Sequence, residues 1–274
     1  MQLAVRDRAA AAATFTSVLG AHKVREDSVE HPLHCKRTVV QAGDSEFELL
    51  EPAGEGPVAT HLERWGEGIF GAGFSSSGLP DVTRRMEDAG LHFTYQGSQV
   101  FIEPDQTRGM RTVLQASEQR EKVGLITGLY EVTNIVADHE EAATFYAGIF
   151  GLDQSRFSPI KSGHWGYGGT LTLFDPPARL DRIEITQTND PEKSMGKFFG
   201  KRGNSVYMCF AETPDLGPLR ERLDSLGARY TPAPEGPGSL FIHPTALCGM
   251  LMGISVTNEA WRWSGRPDLA PARA

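Results

Sequence analysis

Histidine, cysteine and the carboxylates are the side chains that hold metals and move protons, and this chain spaces them unevenly. In EHPLHCKR, His31 and His34 flank Pro32 and Cys35 follows, a grouping that invites a metal. Residues three apart on a strand point to opposite faces, so the spacing suits a single ion poorly. The three cysteines, Cys35, Cys209 and Cys248, are odd in number and form no CxxC pair. They read as reduced, buried thiols of a cytoplasmic protein. Cys209 has no histidine near it in sequence to activate it, which leaves a nucleophilic thiol weakly supported. SGHWGYGG sets His164, Trp165 and Tyr167 in a Gly/aromatic hairpin, which serves either to grip a ligand or as an aromatic-packed turn. Charged and apolar residues alternate in DRIEIT, with Arg182 and Glu184, and in YEVTN, with Glu131. SVYMCF adds Tyr207 and Cys209. Alternation of this kind gathers side chains of one parity on one strand face.

The elements that position these residues come in repeats. GSQVFIEPDQTRGM (97–110) matches GSLFIHPTALCGM (238–250), and RMEDAGLHFTY (85–95) matches RLDSLGARYTP (222–232). Helices are expected at Asp7–Leu19, Pro80–Ala89, Asp138–Phe150 and Asp215–Leu226, each closed by glycine. Strand-like segments such as Phe47–Leu50, Arg182–Thr186, Val206–Phe210 and Gly249–Ile254 lie between them. The unit is strand–helix–strand–strand–strand, used four times, giving an α+β fold. Two domains are expected at 1–117 and 123–257, joined by the polar SEQREK, with a tail at 258–274. Trp261 and Trp263, on an extended tail segment, would close a cup or seal the contact of a homodimer.

Composition limits the partners. With 39% hydrophobic and 23% charged residues the 274-residue chain is that of a globular protein. A net charge of −8 argues against nucleic acid or an anionic membrane surface. No run of 18 apolar residues is present, so no transmembrane helix is expected. The partner these features leave is a small-molecule ligand or substrate.

The paired βαβββ units, with AVRDRAAAAATFTSVLG and YEVTNIVADHEEAATFYAGIFGLD, resemble the vicinal oxygen chelate (glyoxalase/bleomycin-resistance/dioxygenase) superfamily. FELLEP, PVATHLERWGEGIFGAGF and LPDVTRRMEDAG resemble its methylmalonyl-CoA epimerase members. The resemblance covers the chain to about Thr257 and implies two tandem cup-shaped domains. It further implies a divalent metal in each active cup, held from four strand positions. In the first half these fall ahead of Met1 and on Glu48, Gly71 and Val113. In the second they fall on Glu131, Glu184, Tyr207 and Gly253. No histidine stands at any of them, so no metal and no other cofactor is expected.

The same positions imply which side chains face each cup. For the first they are Glu48, Leu50, Gly71, Gly73, Arg111 and Val113. The glycines leave room for a ligand or mark a bulge, and Glu48 and Arg111 could pair across the sheet. For the second they include Glu131, Thr133, Arg182, Glu184, Thr186, Tyr207 and Cys209. Proton transfer at a carbon next to a carbonyl needs such a set: a carboxylate of raised pKa, and a cation or phenol for the enolate oxygen. An internally satisfied ion cluster would look the same. Glu131, Glu184 and Tyr207 are therefore the expected catalytic residues. His164, Trp165, Arg182, Cys209, Glu48 and Arg111 are the expected ligand contacts.

The resemblance implies three functions. The first is a lyase or isomerase without the usual metal site, acting on a small carbonyl-containing acid or acyl thioester. The second is a non-catalytic binding protein of the bleomycin-resistance type. The third, a metal-dependent glyoxalase or ring-cleaving dioxygenase, fits these residues least.

Overall fold

The computed structural model describes residues 1–174, 180–234, 236–262 and 264–269. The first βαβββ unit comprises β1 (Gln2–Ala4), α1 (Arg8–Leu19), β2 (His22–Val29), β3 (Cys35–Ala42) and β4 (Ser45–Pro52). A linking helix, α2 (Pro57–Trp65), leads into the second: β5 (Gly68–Ser76), α3 (Leu79–Asp88), β6 (Phe93–Gln96), β7 (Gln99–Ile102) and β8 (Thr112–Ala116). The third holds β9 (Gly128–Ile135), α4 (His139–Phe150), β10 (Ser158–Ser162), β11 (Tyr167–Leu173) and β12 (Arg182–Thr188). After α5 (Ser194–Arg202) come β13 (Ser205–Thr213), α6 (Gly217–Ser225), β14 (Tyr230–Pro232), β15 (Ser239–Ile242) and β16 (Met252–Val256), then α7 (Thr257–Arg262).

Each half builds one eight-stranded sheet, and the two share one strand order. The first runs β2-β3-β4-β1-β5-β8-β7-β6 and the second β10-β11-β12-β9-β13-β16-β15-β14. The α+β fold of four βαβββ units is therefore present, as two tandem domains of the vicinal oxygen chelate kind.

Local chemistry repeats with the topology. Asp7 caps α1 by accepting from the backbone N–H groups of Ala9 and Ala10, and Asp138 caps α4 through Glu140 and Glu141. Gly20 and Gly151 end these helices in the left-handed conformation, at φ 70° and 69°. Packing divides the chain into two compact units. One is Met1–Ala72 with Glu118–Leu129 and Met208–Glu259; the other is Gly73–Ser117 with Tyr130–Tyr207 and Ala260–Ala274. In the first, Phe15 of α1 packs on Phe47 of β4 with ring centroids 5.0 Å apart. In the second, Tyr146 of α4 is fully buried and donates to the Thr107 carbonyl at 2.7 Å.

Two sequence expectations need correction. The described residues hold seven α-helices rather than four. The short α2 and α5 lie outside the four expected helices, although α2 carries Pro57 at its start and buries Val58 and Leu62 one turn apart. The tail is not extended: Thr257–Arg262 is helical and Trp261 is buried. Trp263 lies outside the described residues.

No helix among the described residues is long and apolar enough to cross a membrane.

Candidate functional site

The central strands of the second sheet lay the site out in rows. Parallel pairing of β12 with β9 sets Arg182 opposite Glu131, Glu184 opposite Thr133 and Thr186 opposite Ile135. Antiparallel pairing with β11 brings Leu173, Leu171 and Gly169 into those same rows. The opposite parity belongs to α4. Asn134 Nδ2 donates to the Tyr146 hydroxyl at 3.0 Å, and His139 Nδ1 lies 3.0 Å from Thr170 Oγ1. Glu131, Thr133, Arg182, Glu184 and Thr186 therefore share the face turned away from α4. All five are buried.

The charges in these rows close on one another. Arg182 Nε donates to Glu131 Oε2, with both side chains 3% exposed. Thr133 Oγ1 donates to Glu184 Oε2 at 2.6 Å. Burial raises the Glu184 carboxyl, and the charge of Glu131 with a hydrogen bond to it raises it further, to about 8. Burial works against the Arg182 charge, but Glu131, Tyr130 and Glu184 more than offset it and hold the guanidinium above its ordinary value. Glu184 is thus held mostly as the neutral acid near neutral pH, beside the buried Arg182–Glu131 ion pair. Satisfaction is incomplete. Arg182 Nη1 and Thr186 Oγ1 are buried with no hydrogen-bond partner.

Tyr207 does not join this set. Its ring meets Phe198 of α5 edge-on at 4.9 Å, its hydroxyl bonds with Ser194, and burial raises the phenol. On β13, Phe210 is paired with Gly253 and Cys209 with Met252. Strand alternation then groups Tyr207 with Cys209, on the face opposite to Gly253. The expectation placed both in the cup through a one-residue slip. Gly203-Asn204-Ser205-Val206-Tyr207 repeats Gly66-Glu67-Gly68-Ile69-Phe70, so Tyr207 corresponds to Phe70 and Met208 to Gly71. Cys209 is fully buried, with Sγ 3.6 Å from Met250 Sδ. Glu131, Glu184 and Tyr207, the expected catalytic trio, are therefore not brought together. Tyr207 is turned to α5, and Arg182 closes on Glu131.

His164 and Trp165 stand at the turn of the β10–β11 hairpin, their rings edge-on at 4.5 Å. His164 is exposed and Trp165 half-buried. Asn189 N–H donates to the Gly166 carbonyl at 2.9 Å, and Lys193 Nζ donates to the Gly163 carbonyl. These bonds tie the turn to the chain leaving β12. Tyr167 lies opposite Thr188 and so shares the Glu184 face.

Glu48 of the first sheet is also closed in. Arg37 Nη1 donates to it at 3.0 Å and Gln2 Nε2 at 2.8 Å, while Arg37 grips Asp27 through two bonds of 2.7 Å. The suggested Glu48–Arg111 pair is replaced by Glu48–Arg37, because β3 lies directly against β4 and brings Arg37 within reach. Arg111 pairs with Glu103 instead. Arg37 and Gln2 are not among the expected contacts, though Arg37 directly precedes the β-branched run Thr38-Val39-Val40 that signals a strand. An open groove of about 450 Å³ lies elsewhere, lined by Thr14, Ser17 and Val18 of α1 with Leu226, Arg229 and Thr245.

The divalent metal that the fold family implies does not fit these residues. Glu131 is held by a guanidinium, Glu184 accepts from the Thr133 hydroxyl, and a side chain at Gly253 would meet the Phe210 ring at 2.2 Å. Among the described residues no three His, Cys, Asp or Glu side chains are grouped so as to hold a metal ion.

No protein-family model matches the sequence, and none of the curated proteins does. Solved structures do match. A triply substituted 4-hydroxymandelate synthase from Streptomyces coelicolor superposes over 93% of this chain and 90% of its own, with a TM-score of 0.69 at 15% identity. Methylmalonyl-CoA epimerase from Mycobacterium tuberculosis matches 48% of this chain and 89% of its own, with a TM-score of 0.41 at 26% identity. A methylmalonyl-CoA epimerase bound to methylmalonyl-CoA and NH4+ matches 48% of this chain at 17% identity, with a TM-score of 0.42. Strand order, repeated helix caps and the full-length superposition together identify the chain as having the vicinal oxygen chelate fold in two tandem copies.

Proposed function

We propose that the face built by Glu131, Arg182 and Glu184 binds a small carbonyl-containing organic acid or acyl thioester and transfers a proton at the carbon beside its carbonyl, a lyase- or isomerase-type step. The observation that carries this reading is the buried Arg182 Nη1, a cationic donor with no acceptor. A carbonyl or carboxylate oxygen is the partner it lacks, and leaving such a donor unmet costs about 1–3 kcal/mol. Glu184, held neutral at physiological pH, is the proton carrier beside it. In its ionised form, the minority species below about pH 8, Glu184 would take the α proton and then, as the acid, return it, while Arg182 stabilises the oxygen on which charge develops. Glu131 orients the guanidinium through Nε and leaves Nη1 free.

A second reading, binding without turnover, draws support from the same Arg182–Glu131 pair, since Glu131 fixes the guanidinium through Nε and Nη1 can grip a ligand without any proton moving. Proton exchange separates the two. A panel of 2-oxo acids and acyl thioesters in D2O, followed by NMR, should show deuterium entering the α position in the presence of the wild type. Glu184→Gln should abolish exchange and keep binding, whereas Arg182→Met should remove both. Binding without exchange selects the binder. Exchange that survives Glu184→Gln, or the absence of any binding, rejects the proposed site.

A further inference from the structure

We infer that Thr186 is a specificity-determining residue of the site proposed above, taking the far polar atom of a ligand whose acid end is held by Arg182. The inference rests on that reading and adds a requirement to it: the ligand carries oxygen at both ends.

Three observations converge. Thr186 is fully buried, and its Oγ1 has no partner. Its neighbours in the row cannot supply one, because Ile135 lies on one side and Gly169 on the other. Gly169 is fixed as glycine, since a Cβ there would come within 2.2 Å of the Ile185 carbonyl oxygen. The row is therefore bare of polar side chains around a hydroxyl that can donate or accept. On the α4 face of the same strand, the interior positions Ile183 and Ile185 are apolar, as a buried strand prefers. A valine would fill the Thr186 position with the same shape and leave nothing unmet.

Thr186 also stands four residues along β12 from Arg182, with Glu184 between them on the shared face. At about 3.3 Å per residue the two Cα atoms are roughly 13 Å apart. One small carboxylate cannot reach both orphaned groups. An elongated acid with a terminal hydroxyl or carbonyl can, and it would lie along β12 with its middle over Glu184. Specificity of this kind comes from a polar group left unmet by the wrong ligand.

The test uses the full chain and linear probes: pentanoate, hexanoate and heptanoate, each with and without a hydroxyl on the terminal carbon, titrated by calorimetry. In the wild type the best-fitting hydroxylated acid should bind about three- to tenfold more tightly than its parent, the range one hydrogen bond supplies. In Thr186→Val that gain should vanish while the parent acid binds as before. Unliganded Thr186→Val should also melt at a higher temperature, because a methyl replaces an unmet hydroxyl. If the plain acids bind but hydroxylation brings no gain, or the gain survives in Thr186→Val, the inference falls and the Arg182 site stands. A lower melting temperature for Thr186→Val would show that the hydroxyl is met inside the protein, by a buried water only, and overturns it too. If no probe binds the wild type, the Arg182 site and this inference fail together.

Discussion

Replacing Glu184 by Gln gives the sharpest test of the electrostatics in the second sheet. Its carboxyl moves from the ordinary 4.5 to about 8 through burial and the neighbouring Glu131. Unfolded, the same group ionises near 4.3. Between those two values the folded chain holds a proton that the unfolded chain has released, so folding stability falls as pH rises through this window. A displacement from 4.5 to about 8, at about 1.4 kcal/mol per pH unit, amounts to on the order of 5 kcal/mol lost between pH 4 and pH 8. Glutamine keeps an oxygen for Thr133 Oγ1, now 2.6 Å from Glu184. Its amide N–H can replace the shared proton toward Glu131. The variant should therefore match the wild type near pH 4.5 and exceed it by several kcal/mol at pH 8. Urea unfolding followed by tryptophan fluorescence at several pH values measures the difference, and subtracting the two curves removes the titrating groups that do not interact with Glu184. Parallel curves for the two proteins would refute the reasoning, as would a variant that is weaker by the same amount at every pH.

Arg182→Met should cost about 3–5 kcal/mol by leaving the Glu131 charge buried and unpaired, whereas Arg182→Met with Glu131→Gln should recover most of it. Additive losses in urea unfolding would show that the two residues do not act as a pair. Gly169→Ala should lower stability by about 1–3 kcal/mol, because the new Cβ lands 2.2 Å from the Ile185 carbonyl oxygen. An unchanged melting temperature there would mean that β11 can shift without cost. Burial pushes the Cys35 thiol up to about 12 and the Cys248 thiol to about 11. Neither should react with iodoacetamide at pH 8 until the chain unfolds, which mass spectrometry of timed samples checks.

The repeat was legible because it is written in strong local signals. The Asp7 and Asp138 caps, the closing Gly20 and Gly151, and the matched Gly-Ser turns each fix a backbone conformation by themselves. Alternation in RIEIT correctly put Arg182, Glu184 and Thr186 on one face, and the register with β9 added Glu131 and Thr133. What the sequence hid depends on neighbouring strands. SVYMCF alternates equally well in either frame, and only the pairing of Phe210 with Gly253 shows which frame β13 uses. Arg37 becomes the partner of Glu48 because β3 lies beside β4, a fact of sheet order that no local pattern states. The orphaned atoms on Arg182 and Thr186 are invisible in sequence for the same reason, since an unmet hydrogen bond is a property of the surroundings.

The two halves carry opposite charges at one matching position. Glu46 stands two residues before Glu48, as Arg182 stands two before Glu184. Glu46 is met by Arg25 at 3.3 Å and Arg120 at 3.5 Å, Arg182 by Glu131. A chain that contains the same supersecondary unit more than once can fold with the wrong copies paired, since backbone ladders do not distinguish them. Here the mistake carries an electrostatic penalty. Were β4 to take the place of β12 against β9, Glu46 would confront Glu131 with no guanidinium between them, and facing like charges destabilise a strand pair. Were β12 to take the place of β4, Arg182 would be set among Arg25 and Arg120. The inversion thus sets opposite charge requirements on the two matching strand positions, so that neither strand suits the other's neighbours.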